Sequence, residues 1–371
     1  MKKIKRLSGG ILLPALALLL ASCGGSSDGD PIAFVPPDEL GSYTVGHTVD
    51  VVTDSSRGDR RLPIDLWYPA VPDANLEFTV YPLQGDTGIT SEIAYRDAKP
   101  DPAREWPMLV FSHGFGGINT QSLPLMEYLA SRGFVVVAPE HTGNTNSDRS
   151  STDPGGDRAP DISAVIDFMH SRCTDTEDAF HNVVNTKQVG VMGHSYGGFT
   201  ATSVATGFRN QAPDPRVVAI MPIAAANREI TDAELSRLDI PALFLCGTLD
   251  PLIEQQERTL ALASSDVLFG VSVLGATHTH FANICQIGDW LTSIGLTKET
   301  WPSIGASALI GPYEATCEPP ALDIDIALRA QNFYAGAFFG RYLVGDQAYN
   351  PYLTEEYAIA NEPGVIFFSN Q

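Results

Sequence analysis

Apolar residues along this chain follow two periods. Over residues 42–53 and 61–68 alternate positions are apolar, Tyr43 and Val45 in the first run and Leu62, Ile64, Leu66 and Tyr68 in the second, with a polar turn at 55–59 between them. A period of two belongs to half-buried strands, so the chain is expected to open with an antiparallel pair. An irregular stretch is expected over 71–105. Beyond it, short apolar runs at 108–111, 134–138, 188–192, 217–222, 242–246 and 267–274 rotate with helical spacings at Leu125/Met126/Leu129, at Ile162/Val165/Ile166/Met169 and after residue 195. Runs with no polar alternation are strands buried on both faces. Their rotation with amphipathic helices implies βαβ units, hence a mostly parallel central sheet with antiparallel N-terminal strands and helices on both faces. A last helical pattern over 324–343, containing Leu328, Phe338 and Phe339, is expected to close the domain, with its aromatic residues in the core.

A chain of 371 residues with 44% apolar content can bury one large core. No repeat of solenoid period interrupts it. One catalytic domain is expected over 41–345, followed by a C-terminal extension over 346–371.

The N-terminus follows a different pattern. Lys2, Lys3, Lys5 and Arg6 precede an apolar run over 11–21 broken by Pro14, and Ser22 and Cys23 follow. The run is shorter than the roughly 20 residues a membrane span needs, which makes residues 1–22 an export signal. The Leu20-Ala21-Ser22-Cys23 sequence resembles a bacterial lipobox, in which Cys23 becomes the lipidated first residue of an anchored protein. Residues 23–40, rich in Gly, Ser, Asp and Pro, read as a flexible tether. Gly24 after Cys23, with no Asp there, resembles outer-membrane sorting within the bacterial cell envelope.

Charge narrows the partners. The formal net charge is −21, and loss of residues 1–22 removes four positive charges and no negative ones, leaving −25. So acidic a body repels nucleic acid and anionic lipid. A monomer is the default expectation, since no heptad or repeat marks an interface.

Export places the remaining cysteines in a disulfide-permissive compartment. Cys285 and Cys317 flank a Pro- and Gly-interrupted stretch and are the expected pair. Cys246, within the apolar run 242–246, is expected to be a free core thiol. No cysteine spacing suits a metal. Asp148, Asp153 and Asp157, with Gly155 and Gly156, lack the ordered spacing of a calcium loop, so 146–159 is read as a solvated polar loop long enough to act as a flap.

The candidate chemistry begins at Gly193-His194-Ser195-Tyr196-Gly197-Gly198. This is Gly-x-Ser-x-Gly between a predicted buried strand and a predicted helix, the context in which a tight turn exposes a nucleophilic serine at the sheet edge. A hydroxyl needs a base to take its proton, and the base needs a carboxylate to fix its tautomer. Asp250, just beyond the run 242–246, is the candidate acid, a role compatible with capping a helix after Pro251. The base is expected after the next strand, in Gly275-Ala276-Thr277-His278-Thr279-His280-Phe281. His278 is favoured because small residues precede it, and His280 is the alternative. Oxyanion donors are expected at the backbone N–H groups of Tyr196 and of Phe115, the latter in the loop Ser112-His113-Gly114-Phe115-Gly116-Gly117. His113 and His194 are read as structural, and His141, His170 and His181 as polar or capping residues. Neither metal nor organic cofactor is required by this set.

Trp67-Tyr68-Pro69, the 112–117 loop, Pro139-Glu140-His141-Thr142-Gly143-Asn144-Thr145 and the Ser195 motif together resemble bacterial dienelactone-hydrolase-like proteins. These are similar to the platelet-activating factor acetylhydrolase and polyester hydrolase branches of the α/β-hydrolases. The resemblance implies an α/β-hydrolase fold, a His-x-x-Phe pattern at the base that His278 and Phe281 match, and Phe115 and Tyr196 as oxyanion donors. Dienelactone hydrolases proper use Cys where this chain has Ser195, which argues against dienelactone as substrate. The expected activity is hydrolysis of short-acyl carboxylic esters, the partners being small-molecule or lipid esters. A phospholipase near the anchor, a polyester hydrolase and a binding lipoprotein without turnover are the competing readings.

Overall fold

The computed structural model describes residues 32–371. The expected leader, Cys23 and the first part of the tether lie outside the described residues.

Among the described residues eleven strands form one sheet. Strands β1 (Thr44–Asp54) and β2 (Arg60–Ala70) pair antiparallel through the turn at 55–59, as their period predicts. The stretch expected to be irregular holds a hairpin instead, β3 (Phe78–Gln84) and β4 (Thr87–Arg96). Its alternation is present, with Thr79 and Tyr81 inward and Phe78 and Val80 outward, but Pro82 conceals it, because proline is tolerated only at edges and irregular positions of a sheet. This hairpin is the sheet's edge, where β4 runs parallel to β1.

The βα portion follows the expected order: β5 (Trp106–Ser112), α1 (Leu123–Ser131), β6 (Val135–Pro139), α2 (Pro154–Thr174), β7 (Val184–His194), α3 (Tyr196–Thr206) and β8 (Val217–Ile223). Then come α4 (Asp232–Leu235), β9 (Ala242–Gly247), α5 (Ile253–Leu262), β10 (Leu268–Val273), α6 (Ile284–Ser293), α7 (Ser307–Cys317), α8 (Ile324–Tyr342), α9 (Glu355–Asn361) and β11 (Val365–Ser369). The sheet order is β11-β10-β9-β8-β7-β5-β6-β2-β1-β4-β3, with β6, β5, β7, β8, β9 and β10 parallel.

Each central strand feeds two cores. Val136 and Ala138 of β6 and Leu109 and Phe111 of β5 face one side with α1 and α8, whereas Val135, Val137, Met108 and Val110 face the other with α2 and α3. A strand apolar at every position is what two helical layers demand. Because β5 leads to α1 on one face and β7 to α3 on the other, the neighbouring ends of β5 and β7 form a topological switch point, where crevices open in such sheets.

Segments expected to lie outside the catalytic domain or to be loose are built into this body. Residues 35–39, counted with the tether, are fastened by Arg132, which donates to the carbonyls of Val35, Pro36 and Glu39, and by Tyr128 Oη, 2.6 Å from the Pro37 carbonyl. Residues 346–371, set apart as an extension, supply α9 and the edge strand β11, antiparallel to β10. Pro154–Ala159, read as part of a flap, forms the first turns of α2, capped by Asp153. Among the described residues no helix is long and apolar enough to cross a membrane.

Cys285 and Cys317 are disulfide-bonded, tying α6 to the end of α7, and Cys173 and Cys246 are free and buried. The bond closes a loop across a sequence separation of 32. In the chain-entropy account a loop of that size stabilises by about 3–4 kcal/mol. The variant Cys285→Ser/Cys317→Ser is therefore expected to lose about 3–4 kcal/mol and to unfold at lower urea concentration, with a somewhat larger m-value because its unfolded chain is less compact. An unchanged midpoint would mean that α6 and α7 are held by packing alone.

Candidate active site

Ser195 stands between β7 and α3 with φ 60° and ψ −115°, a conformation L-residues rarely adopt. The turn is held from both sides. Ser195 N–H donates to the Ile223 carbonyl on β8 at 2.8 Å, and its own carbonyl accepts from Phe199 N–H and Ala226 N–H. Glycine is required around it because β-carbons on Gly193 or Gly197 would overlap the Ser112 carbonyl at the end of β5.

The sequence candidates meet at this point. His278, in the single turn His278–Phe281 after β10, places Nε2 2.8 Å from Ser195 Oγ and Nδ1 2.8 Å from Asp250 Oδ2. Since Asp250 accepts, Nδ1 carries the proton and Nε2 is left to accept from Oγ. The other Asp250 oxygen accepts from Leu252 N–H at 2.8 Å, at the start of α5, so the residue caps and orients together. Burial by itself would raise the Asp250 pKa; the hydrogen bond and charge of His278 and the Leu252 N–H outweigh it and hold the carboxyl below its usual range. The Asp250 side chain is fully buried whereas that of His278 is 30% exposed. His280 is not brought to the serine. Its Nδ1 accepts from Thr277 N–H and its Nε2 donates to the Leu322 carbonyl at 3.1 Å, so this alternative base is a buried strut between its loop and the start of α8.

Phe115 and Tyr196 flank Ser195, with rings in edge contact at 5.7 Å between centroids. Among the described residues neither backbone N–H has a partner within the chain. A β-carbon on Gly114 would lie 3.6 Å from Ser195 Cβ, so the 112–117 loop runs directly over the serine. Phe115 and Leu249, beside the two loops, are 55% and 65% exposed.

Beneath the loop lies a network of which the sequence marks only His141, as a polar or capping residue, and His113, as structural. Ser112 Oγ is 2.8 Å from His141 Nε2, and His141 Nδ1 is 2.9 Å from Asp161 Oδ2. Hydroxyl, imidazole and carboxylate thus repeat the order of the first set, but all three residues are fully buried. Burial would raise the Asp161 pKa, but hydrogen bonds from Arg60 and His141 hold it well below the ordinary value. Arg158, also fully buried, donates to the carbonyls of His113 and Gly114 and to Asn144 Oδ1, and its guanidinium lies 5.1 Å from the Tyr196 ring centroid. Burial lowers its pKa to about 9, which leaves it charged at neutral pH. Arg158 has no sequence signature, because it lies in a helix whose register alone shows which residues face the loop. Asp148, Asp153 and Asp157 engage separate partners: Gly143 N–H, Arg209 and Ser151 Oγ.

A family model described as Chlorophyllase matches residues 95–233, a span that contains the 112–117 loop and Ser195 and ends before Asp250 and His278. The chain is 29% identical over 189 residues to Chlorophyllase-1 of Arabidopsis thaliana, covering 47% of this chain and 55% of that protein. It is 28% identical over 144 residues to Cutinase est1 of Thermobifida alba, covering 39% and 42%. The chain spans about half the length of these relatives. Its structure is similar to that of a ferulic acid esterase from Streptomyces cinnamoneus, with a TM-score of 0.66, 24% sequence identity, and coverage of 92% of this chain and 100% of that one. That likeness, with the sheet order, makes the fold an α/β-hydrolase fold.

The buried imidazoles set an acid limit on stability. Burial pushes His141 down to about 4 and His194 down to about 3, and holds His113 well below its ordinary value. Unfolded, these residues take up protons near pH 6.5; folded, His141 does so only at about 4 and His194 at about 3, and His113 likewise well below its ordinary value. The unfolded chain binds more protons in between, so stability that is full above pH 6.5 is lost as pH falls, at on the order of 1.4 kcal/mol per unit for each group. The melting temperature is expected to be level from pH 8 to 7 and to drop from 6.5 towards 4. His141→Asn, whose amide still reaches Asp161, is expected to melt lower at pH 8 but to decline less steeply in acid. The comparison cancels Glu127 and Glu140, which burial shifts upward and which act in the opposite sense. Equal slopes in the two proteins would contradict a neutral buried His141.

Proposed function

We propose that this α/β-hydrolase cleaves carboxylic esters through an acyl-enzyme, with Ser195 as nucleophile, His278 as base and Asp250 as acid. The observation that carries the reading is the unbroken series of hydrogen bonds from Asp250 through His278 to a Ser195 held in a strained turn. Similarity to proteins named chlorophyllase, cutinase and ferulic acid esterase supports the same class.

The proposed steps are as follows. As Ser195 Oγ bonds to the ester carbonyl carbon, its proton passes to His278 Nε2 and the carbonyl electron pair moves onto oxygen. The N–H groups of Phe115 and Tyr196 are the proposed donors to that oxyanion, which supplies most of the stabilisation such a step needs. Collapse of the intermediate breaks the bond to the alcohol oxygen, which takes the proton from His278. Water then repeats the sequence on the acyl-enzyme, with His278 again the base. Asp250 remains a carboxylate throughout, keeping the imidazole in the required tautomer and opposing the charge it acquires.

Short-acyl esters are the favoured substrates. The exposed Phe115 and Leu249 offer apolar surface at an open site, which also favours a second reading, ester units of an insoluble polyester. A phospholipase role is disfavoured by the acidic body. Export and anchoring through Cys23 belong to the same proposal and rest on the leader sequence; mass spectrometry of a membrane fraction for acylated Cys23 tests them.

A fluorophosphonate probe is expected to add to Ser195 and to no other residue of the mature protein. Turnover of p-nitrophenyl acetate and butyrate is expected to exceed that of decanoate. Ser195→Ala is expected to lower kcat by on the order of 10⁴-fold or more, and Asp250→Asn by about 10⁴-fold. Ser195→Ala retaining most of the activity would defeat the proposal and leave a binding protein on a hydrolase fold.

A further inference from the structure

His194 and Gln121 belong to no step of the mechanism above, yet both are buried and both touch its parts. Their hydrogen bonds form a directed series. Gly114 N–H, in the loop over Ser195, donates to Gln121 Oε1 at 2.9 Å. Gln121 Nε2 lies 3.1 Å from His194 Nδ1, and His194 Nε2 lies 2.8 Å from the backbone carbonyl of His278. Every direction is determined: the carbonyl of His278 only accepts, so Nε2 carries the His194 proton, Nδ1 accepts, and the Gln121 amide must present nitrogen to it and oxygen to Gly114.

The geometry points to Gln121 and His194 as positioning residues that set the base loop, through the His278 backbone, against the loop carrying the Phe115 oxyanion donor. This rests on the hydrolase reading above. The sequence order makes the link effective. His194 immediately precedes Ser195, so the imidazole that grips the His278 carbonyl is attached to the nucleophile itself. Gln121 closes the arrangement a second time, its backbone carbonyl accepting from Asn283 N–H at 2.8 Å, and Ser122 Oγ donates to the Phe281 carbonyl at 3.2 Å. The loop 277–283 has no strand neighbour to hold its register, so these bonds locate it together with those of His278 to Asp250 and His280 to Leu322. Burial and the adjacent His278 keep His194 neutral. A protonated ring would turn a second N–H on the Gln121 amide nitrogen, and flipping that amide would lose Gly114.

Substitution separates positioning from simple packing. His194→Asn keeps a polar atom near Gln121 but falls short of His278, whereas the amide nitrogen of His194→Gln sits about where Nε2 does. Displacing a base by about 1 Å costs on the order of 10²-fold in rate. For p-nitrophenyl butyrate, Gln121→Met and His194→Asn are expected to lower kcat by roughly 30- to 100-fold, with KM changed less than about threefold. His194→Gln should recover to within about fivefold of the parent chain, and Gln121→Met/His194→Asn should be no more than about threefold worse than the poorer single variant, because both cut one series. Amide exchange over 277–283 should quicken in Gln121→Met and His194→Asn, a readout that needs no turnover. Unchanged exchange, His194→Gln as slow as His194→Asn, or effects that multiply in the double variant would each overturn the inference. A parent chain whose Ser195 resists the fluorophosphonate would defeat the hydrolase reading instead, while the exchange measurement still decides whether the series positions the loop.

Discussion

The Ser112 carbonyl, wedged against Gly193 and Gly197, is the contact on which the site depends. It brings the ends of β5 and β7 so close that no side chain fits between them, and this holds Ser195 in a backbone conformation it would otherwise avoid. The same closeness lays the 112–117 loop over the serine. Strain of this kind, of order 1–3 kcal/mol, persists only where the surroundings over-determine it. Here the surroundings are the Ile223 carbonyl on β8 and the first turn of α3.

Two Ser-His-Asp relays lie close to that contact, and hydrogen-bond geometry does not separate them. Ser195-His278-Asp250 and Ser112-His141-Asp161 have nearly the same distances and the same order of donors. Burial separates them. His278 is partly open, so a substrate can reach the serine and a proton can leave; the second set is sealed, and Arg158, Arg60 and the low proton affinity of His141 tie it into the support of the loop above. One relay suits reaction and the other holds that loop still, a division set by solvent access and not by residue type. His194, between them in the chain, is neutral for the reason His141 is: a desolvated imidazole gives up its charge before its hydrogen bonds.

The fold was legible wherever one physical signal dominated. Central strands such as 135–139 are apolar at every position because both faces are covered, and β1 and β2 alternate because one face is exposed. The hairpin at 78–96 is obscured by Pro82, and residues 35–39 read as tether because composition reports how much surface a segment can bury and not where a partner waits; that partner lies partly in 346–371, whose docking depends on contacts distant in the chain. Phe34 and Val35 meet Tyr349, itself in the supposed extension, and that meeting orders both.

What the sequence by itself determined is the order of elements and the candidacy of Ser195, of Asp250 and of a histidine in the loop after β10, since strand-turn-helix context and chain order are local properties. It also determined the pairing of Cys285 with Cys317, with Cys246 left free. Tertiary structure alone decided between His278 and His280, two residues apart in the same loop, because the choice turns on which ring faces Ser195 and which faces the Leu322 carbonyl. It alone placed Arg158, Asp161 and Gln121 around the 112–117 loop. Those roles depend on contacts between residues tens of positions apart, and no local periodicity encodes the angle at which one helix presents a side chain to another loop.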